Sequence, residues 1–295
     1  MKRWFSVFLL LLVFLAACGG NEGTSGSEED QTASDEPAAE QQEKDSTESL
    51  ENPGKGEKEE EETEQSSEEE EDAQEAFVQK EAQYEMTDNW SFQPIADADP
   101  KVALLTIDDI PDAHAMEMAE TLKEKGAPAI FFVNGHFLDT PDEELAEKRK
   151  QWVKAIHDMG FPIGNHTYSH KDLKTMSEEE QREEILTVSD QIEEITGERP
   201  VFYRSPFGSN TDFVKELVKE EGMLLMNWTY GYDWEQEYQN ASSLADIMVD
   251  TPLLANGANL LMHDRDWTNK ALGDIVDGLR DKGYTLLDPA LIQTP

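Results

Sequence analysis

Val102-Ala103-Leu104-Leu105-Thr106-Ile107-Asp108-Asp109 is a short apolar, β-rich run that ends on two adjacent carboxylates. The pattern returns along the chain, at 129–133, 161–163, 201–203, 223–227, 259–262 and 284–287. Amphipathic stretches of helical period lie between these runs, near 113–125, 142–159, 177–196, 211–221, 243–254 and 269–282. Gly126, Gly160, Gly197, Gly222 and Gly283 each follow a helical stretch, where a C′ glycine belongs. Strands that alternate with helices predict a parallel sheet joined by right-handed crossovers. Seven units over about 190 residues predict an α/β fold, a distorted (β/α)7 barrel, with a doubly wound open sheet as the alternative.

In either architecture functional residues gather beyond the carboxyl ends of the strands. Six polar groups fall there: Asp108-Asp109, Asn134-Gly135-His136, His166 with His170, Arg204-Ser205-Pro206-Phe207-Gly208, Asp233-Trp234 and His263-Asp264. Each has a structural excuse, since an Asp after a strand is often a helix cap and a Trp is often core. Six on one face exceed what capping explains. His166 and His170, four residues apart, can put both imidazoles on one side of a turn, and neutral imidazole is the commonest transition-metal ligand. A buried metal site needs a further, charged ligand, and the Asp108-Asp109 pair offers one. His114 and His157 lack this placement and read as structural.

The 295-residue chain carries a formal net charge of −41, which excludes the basic footprint of nucleic-acid binding. It also excludes attraction to an anionic membrane surface. A single cysteine rules out an intrachain disulfide. Met1-Lys2-Arg3, an apolar run over 4–15 and Leu15-Ala16-Ala17-Cys18 have the order of an export signal. The run is too short for a membrane span of about 20 residues. Leu-Ala-Ala-Cys resembles the lipobox of bacterial lipoproteins, which implies a signal over 1–18 and a lipid anchor on Cys18. Residues 19–85 are rich in Glu, Gln, Ser and Asp and predict a disordered acidic linker. The stretch 81–96 reads as the lead-in to the fold.

Taken together, the motifs resemble the polysaccharide deacetylase family over residues 97–290. Thr106-Ile107-Asp108-Asp109 is similar to its Thr-Phe-Asp-Asp motif, and His166-Thr167-Tyr168-Ser169-His170 to its His-(Ser/Thr)-x-x-His motif. Arg204-Ser205-Pro206-Phe207 resembles Arg-x-Pro-Tyr, Asp233-Trp234 the Asp-Trp motif and Leu261-Met262-His263 the Leu-x-His motif. Phe131 to Gly135 is similar to the apolar strand that follows the first motif in many members. The resemblance implies that Asp109, His166 and His170 hold a divalent metal, Zn²⁺ first and Co²⁺, Mn²⁺ or Ni²⁺ as alternatives. It makes Asp108 the general base, Arg204 its support, His263 the general acid and Asp233 the residue that tunes it. The backbone N–H of Phe207 would bind the oxyanion, while Trp234 and Leu261 would wall a pocket for the acetyl methyl. Two departures stand out. Phe207 replaces a tyrosine, and Ile110-Pro111-Asp112 stands where the family usually has Gly after the aspartates. The loop beside the metal is therefore expected to take another path and narrow the groove.

The implied function is removal of N-acetyl groups from N-acetylglucosamine or N-acetylmuramic acid in a cell-wall or surface polysaccharide. Peptidoglycan or a chitin-like glycan would be the partner. The protein would sit on the outer face of the bacterial membrane and reach into the wall. The chemistry suits amide hydrolysis, which needs an activated water, a stabilised oxyanion and a proton for the departing amine. The competing reading is a wall-binding lipoprotein on the same fold with little turnover. A non-haem iron oxygenase shares the two-His-one-carboxylate set but leaves Arg204, Asp233 and His263 unexplained. If Cys18 is the anchor, Cys18→Ala abolishes lipid attachment and leaves precursor or released protein. Unchanged membrane retention of that variant, with no lipid on the native chain, would sink the anchor.

Overall fold

A computed structural model describes residues 77–295. The expected export signal, Cys18 and the expected acidic linker as far as residue 76 lie outside the described residues. A two-stranded antiparallel hairpin comes first, β1 (Tyr84–Met86) and β2 (Phe92–Pro94). The alternating part follows as β3 (Val102–Ile110), α1 (Ala115–Glu124), β4 (Ala129–Val133), α2 (Glu143–Asp158) and β5 (Ile163–Asn165). It continues with α3 (Glu178–Thr196), β6 (Phe202–Tyr203), α4 (Asp212–Glu220) and β7 (Leu224–Leu225). The last elements are α5 (Ala241–Asp250), β8 (Ala258–His263), α6 (Asp266–Asp281) and β9 (Thr285–Leu286).

The sheet runs β7-β6-β5-β4-β3-β8, with β9 beside the start of β3, and every pairing in it is parallel. It curls. Past β7 the chain reaches across to β8, where Thr229 N donates to Asn259 O at 2.9 Å and Leu261 N to Tyr230 O at 2.9 Å. The architecture is thus the expected distorted, curled parallel sheet with six α-helices among the described residues, and the open-sheet alternative falls. The five predicted C′ glycines all have positive φ, from 54° to 94°.

Alternation along β3 fixes what points inward. Ala103, Leu105 and Ile107 pack with α1 and α6 side chains such as Met118, Leu122, Leu272 and Ile275. Val102 and Leu104 join Ile130, Phe132 and Phe202 in the barrel interior. Side chains two apart share a face, so Thr106 and Asp108 continue the interior row. All nine residues of β3 are buried. The inner row therefore changes from apolar to polar as it climbs toward the carboxyl end.

The lead-in stretch is more than a lead-in. Tyr84 and Phe92 are buried against Leu287 and Ile292 at the amino ends of the strands, and Gln293 N donates to Tyr84 O at 2.8 Å. Phe77 packs edge-on to Phe202 at the same end. The described chain thus begins on the face opposite the carboxyl ends. Gly257 locks the hairpin on, since its carbonyl accepts from Phe92 N at 2.8 Å. Its φ is 75°, and a Cβ there would fall 1.8 Å from Phe92 O. Gly257→Ala is expected to cost about 3 kcal/mol or more, read as a lower midpoint in thermal or urea unfolding.

Candidate active site

In a regular strand Asp108 would face the interior and Asp109 the helices. A bulge prevents that. Ile107 pairs with Phe131 and Ile110 with Val133, so three steps on β3 oppose two on β4, and Asp109 takes φ 62°. The extra residue re-aims the strand end, and both carboxylates line one cavity of about 560 Å³.

Arg204, directly after β6, lies behind that cavity and is fully buried. Its Nη1 donates to Asp108 Oδ1 and to Thr106 Oγ1, both at 2.7 Å, and its Nη2 donates to Asn227 O at 2.9 Å. Its guanidinium also stacks 4.5 Å from the Phe132 ring centroid. The same residue sets a tautomer, because its carbonyl accepts from His166 Nδ1 at 2.7 Å. That proton assignment leaves His166 Nε2 as a bare acceptor facing the carboxylates. Nε2 lies 3.4 Å from Asp108 Oδ2 and 3.8 Å from Asp109 Oδ1.

The turn from His166 to His170 is held from outside. Thr167 and His170 have φ of 68° and 53°, conformations that persist only when neighbours enforce them. Glu184 of α3 accepts from Ser169 N at 2.7 Å and from Ser169 Oγ at 2.5 Å. Asn134 Nδ2 donates to His166 O at 2.6 Å. One ligand atom each from Asp109, His166 and His170 lies within 4.8 Å of the others. Asp109 Oδ1 is buried with no hydrogen-bond partner, 3.4 Å from His170 Nε2. A buried acceptor without a donor, facing two imidazole nitrogens, fits a cation. Burial, and then the neighbouring His166, hold the His170 pKa below its ordinary value against the opposing pull of Asp109 and Asp108. Burial alone would raise Asp109, but His166, His263, His170 and Arg265 together hold it below the usual carboxylate range.

Across the cavity, β8 pairs with β3 so that His263 stands beside Asp108. His263 Nδ1 lies 2.8 Å from Asp233 Oδ1, while Asp233 Oδ2 accepts from His263 N at 2.6 Å and Thr268 Oγ1 at 2.8 Å. Burial pushes the His263 pKa down, yet the Asp233 hydrogen bond and charge, with Asp108 and Asp109 beyond, leave it raised above 6.5. Phe207 is 68% exposed, has φ 58° and meets the His170 ring edge-on at 5.0 Å. Trp234 is 44% exposed and stands perpendicular to the His263 ring at 5.7 Å. Leu261 is buried in the wall.

Asp108, Asp109, His166, His170, Phe207, Asp233, Trp234, Leu261 and His263 therefore line one cavity, with Arg204 behind it. Ser205 lines it as well, whereas Asn134, His136 and Asp264 at the other strand ends do not. Asn134 braces the histidine turn, and His136 is exposed with Nδ1 2.9 Å from Tyr168 O. Asp264 is a cap, accepting from the N–H groups of Asp112, Ala113, His114 and Ala115 at the start of α1. Ile110 is buried and completes β3, and none of Ile110, Pro111 and Asp112 lines the cavity, so they do not themselves narrow it. His114 precedes α1, and His157 is buried in α2, 3.4 Å from Glu198, so both are structural as their sequence positions imply. Several residues of the site or its supports fall outside the sequence motifs, among them Arg265, Trp228, Trp267 and Gln239 in the lining and Glu184 behind the histidine turn. The place of Arg265 just after His263-Asp264 is a usable signal, whereas Glu184 sits in a helix with no local signal.

Residues 96–226 match the polysaccharide deacetylase family. The chain belongs to that family. It is 29% identical to the peptidoglycan N-acetylmuramic acid deacetylase PdaA of Bacillus subtilis over 190 residues, 63% of this chain and 68% of PdaA. The structure of the peptidoglycan deacetylase PdaC of Bacillus subtilis superposes with TM-score 0.55 at 29% identity, covering 65% of this chain and 91% of that one. A CE4-family pseudoenzyme from Bacillus anthracis superposes with TM-score 0.56 at 25% identity, covering 65% and 66% of the two chains. Within this family frame, the Asp109-His166-His170 donor set predicts about one divalent ion per chain, removable by a chelator. His166→Ala is expected to weaken Zn²⁺ affinity by more than the 10–100-fold typical of outer-shell changes. Equal metal content in native and variant, by elemental analysis, would reject the site.

Proposed function

We propose that this chain is a metal-dependent hydrolase that removes N-acetyl groups from the amino sugars of peptidoglycan. The observation that carries the reading is one cavity in which a three-donor cation site lies between two differently prepared proton carriers. Asp108 is ion-paired with Arg204, and the hydrogen bond and charge of Asp233 raise the proton affinity of His263. A divalent ion held by Asp109, His166 and His170 would supply Lewis acidity, polarising a carbonyl and lowering the pKa of water from 15.7 to about 7. Zn²⁺ suits one carboxylate and two imidazoles, and Co²⁺, Mn²⁺ and Ni²⁺ share those donors.

The chain's own groups carry the protons. Asp108 Oδ1 is occupied by Arg204, so Oδ2 takes the proton of the attacking water. The N–H of Phe207 donates to the acetyl oxygen, and Leu261 with Trp234 encloses the methyl group. His263 donates from Nε2 to the amide nitrogen as the C–N bond breaks, since Nδ1 is committed to Asp233. Acetic acid and a free amino sugar leave, with one water proton on Asp108, the other on the acid, which ionises to acetate in solvent, and the His263 proton on the amine.

The PdaA and PdaC relatives support peptidoglycan as the polymer. The pseudoenzyme relative supports a second reading, a wall-binding protein on the same fold. The intact base, acid and donor set favour turnover. Joined to the Cys18 anchor, the domain would work at the outer face of the cell membrane.

Acetate release from peptidoglycan and chitin oligomers tests the proposal. Asp108→Asn and His263→Ala should each keep the metal and lower kcat by about 10²–10⁴-fold with smaller changes in KM. Asp233→Asn lowers the His263 pKa, so the alkaline limb of the rate profile should move to lower pH. A binding protein would release no acetate, and its glycan affinity would ignore all three changes. Deacetylation that survives both Asp108→Asn and His263→Ala would reject the mechanism.

A further inference from the structure

The two oxygens of Asp109 have different neighbours. Oδ2 accepts from Arg265 Nη2 at 2.8 Å, and Oδ1 faces His166 and His170 with no hydrogen-bond partner. A carboxylate can bind a divalent ion through one oxygen or both. The backbone does not choose between these modes, because Asp109 sits on a bulge in a left-handed conformation. Something outside the strand has to orient it.

We infer that Arg265 is a positioning residue that makes Asp109 a one-oxygen ligand, an inference that rests on the metal site proposed above. Arg265 lies between β8 and α6, and its Nη1 donates to Asp264 O at 3.0 Å. Asp264 is in turn fixed by four N–H groups at the start of α1. Asp112 Oδ2 lies 3.7 Å from Arg265 Nη1, and Arg149 Nη2 donates to Asp112 O at 3.1 Å. The Ile110-Pro111-Asp112 departure thus reaches the site through this arginine. A planar guanidinium can hold one carboxylate oxygen and a carbonyl together in a fixed fork, which a flexible ammonium does less well. With Oδ2 engaged, one oxygen is left for a cation, and a coordination position that a two-oxygen carboxylate would fill stays open.

The test uses the full chain loaded with Co²⁺, whose visible bands weaken as coordination number rises. In Arg265→Ala, Oδ2 is released, so the bands should weaken and Co²⁺ affinity should fall about 10–100-fold. Arg265→Lys keeps a donor at Oδ2 and should restore most of the native spectrum. A merely structural arginine would lower the melting temperature of Arg265→Ala and leave the spectrum native, which would overturn the inference. Tighter Co²⁺ binding by Arg265→Ala would overturn it too, since the guanidinium would then act on the ion only by repulsion. If the native chain binds no Co²⁺, the metal reading fails and this inference with it. Native binding with an unchanged variant spectrum rejects the inference alone.

Discussion

A guanidinium with no access to water is the constraint on which the site depends. Arg204 is buried to the last atom, and a lone cation there would carry a desolvation cost of several kcal/mol. The structure offsets that cost with Asp108, Thr106, the Asn227 carbonyl and the Phe132 ring. These partners come from β3, from β4 and from the chain beyond β7, so satisfying one charge also fastens the curled sheet. Thr106 adds a second link, its hydroxyl donating to Leu260 O of β8 at 2.7 Å. Asp108 cannot be moved without leaving the Arg204 cation unpaired, which makes its position a property of the fold.

The three histidines of the cavity show how environment divides one residue type between jobs. His166 donates Nδ1 to a neutral carbonyl, and burial with the neighbouring His166 lowers the His170 pKa. Both suit the ligand role proposed for them. His263 donates Nδ1 to a carboxylate that is itself buried, and its proton is held more tightly. Titratable groups pushed in opposite directions within one cavity are the mark of a site with assigned proton roles.

The strands, the helices and most of the cavity were legible because their signals are local. Periodicity, C′ glycines and short motifs each occupy a few neighbouring residues, and the carboxyl-end rule then gathers the motifs on one face. What stayed hidden depends on partners far along the chain. Asp264 looked functional by adjacency to His263, yet its partners are N–H groups about 150 residues earlier. Glu184 braces the turn before His170 from a helix whose sequence advertises only amphipathicity. The bulge at Asp109 is invisible because nothing in two consecutive aspartates says that the second will turn inward. Strands β6 and β7 shrink to two residues each, since beyond them the chain leaves the ladder to supply Arg204 and to reach β8.

The hairpin gives the domain a direction. Phe77, Tyr84 and Phe92 pack at the amino ends of the strands, and the cavity opens beyond their carboxyl ends. Polypeptide arriving at residue 77 therefore joins the domain at its base. A force applied to the domain at residue 77 would load the amino ends of the strands first and reach the cavity only through the whole height of the sheet.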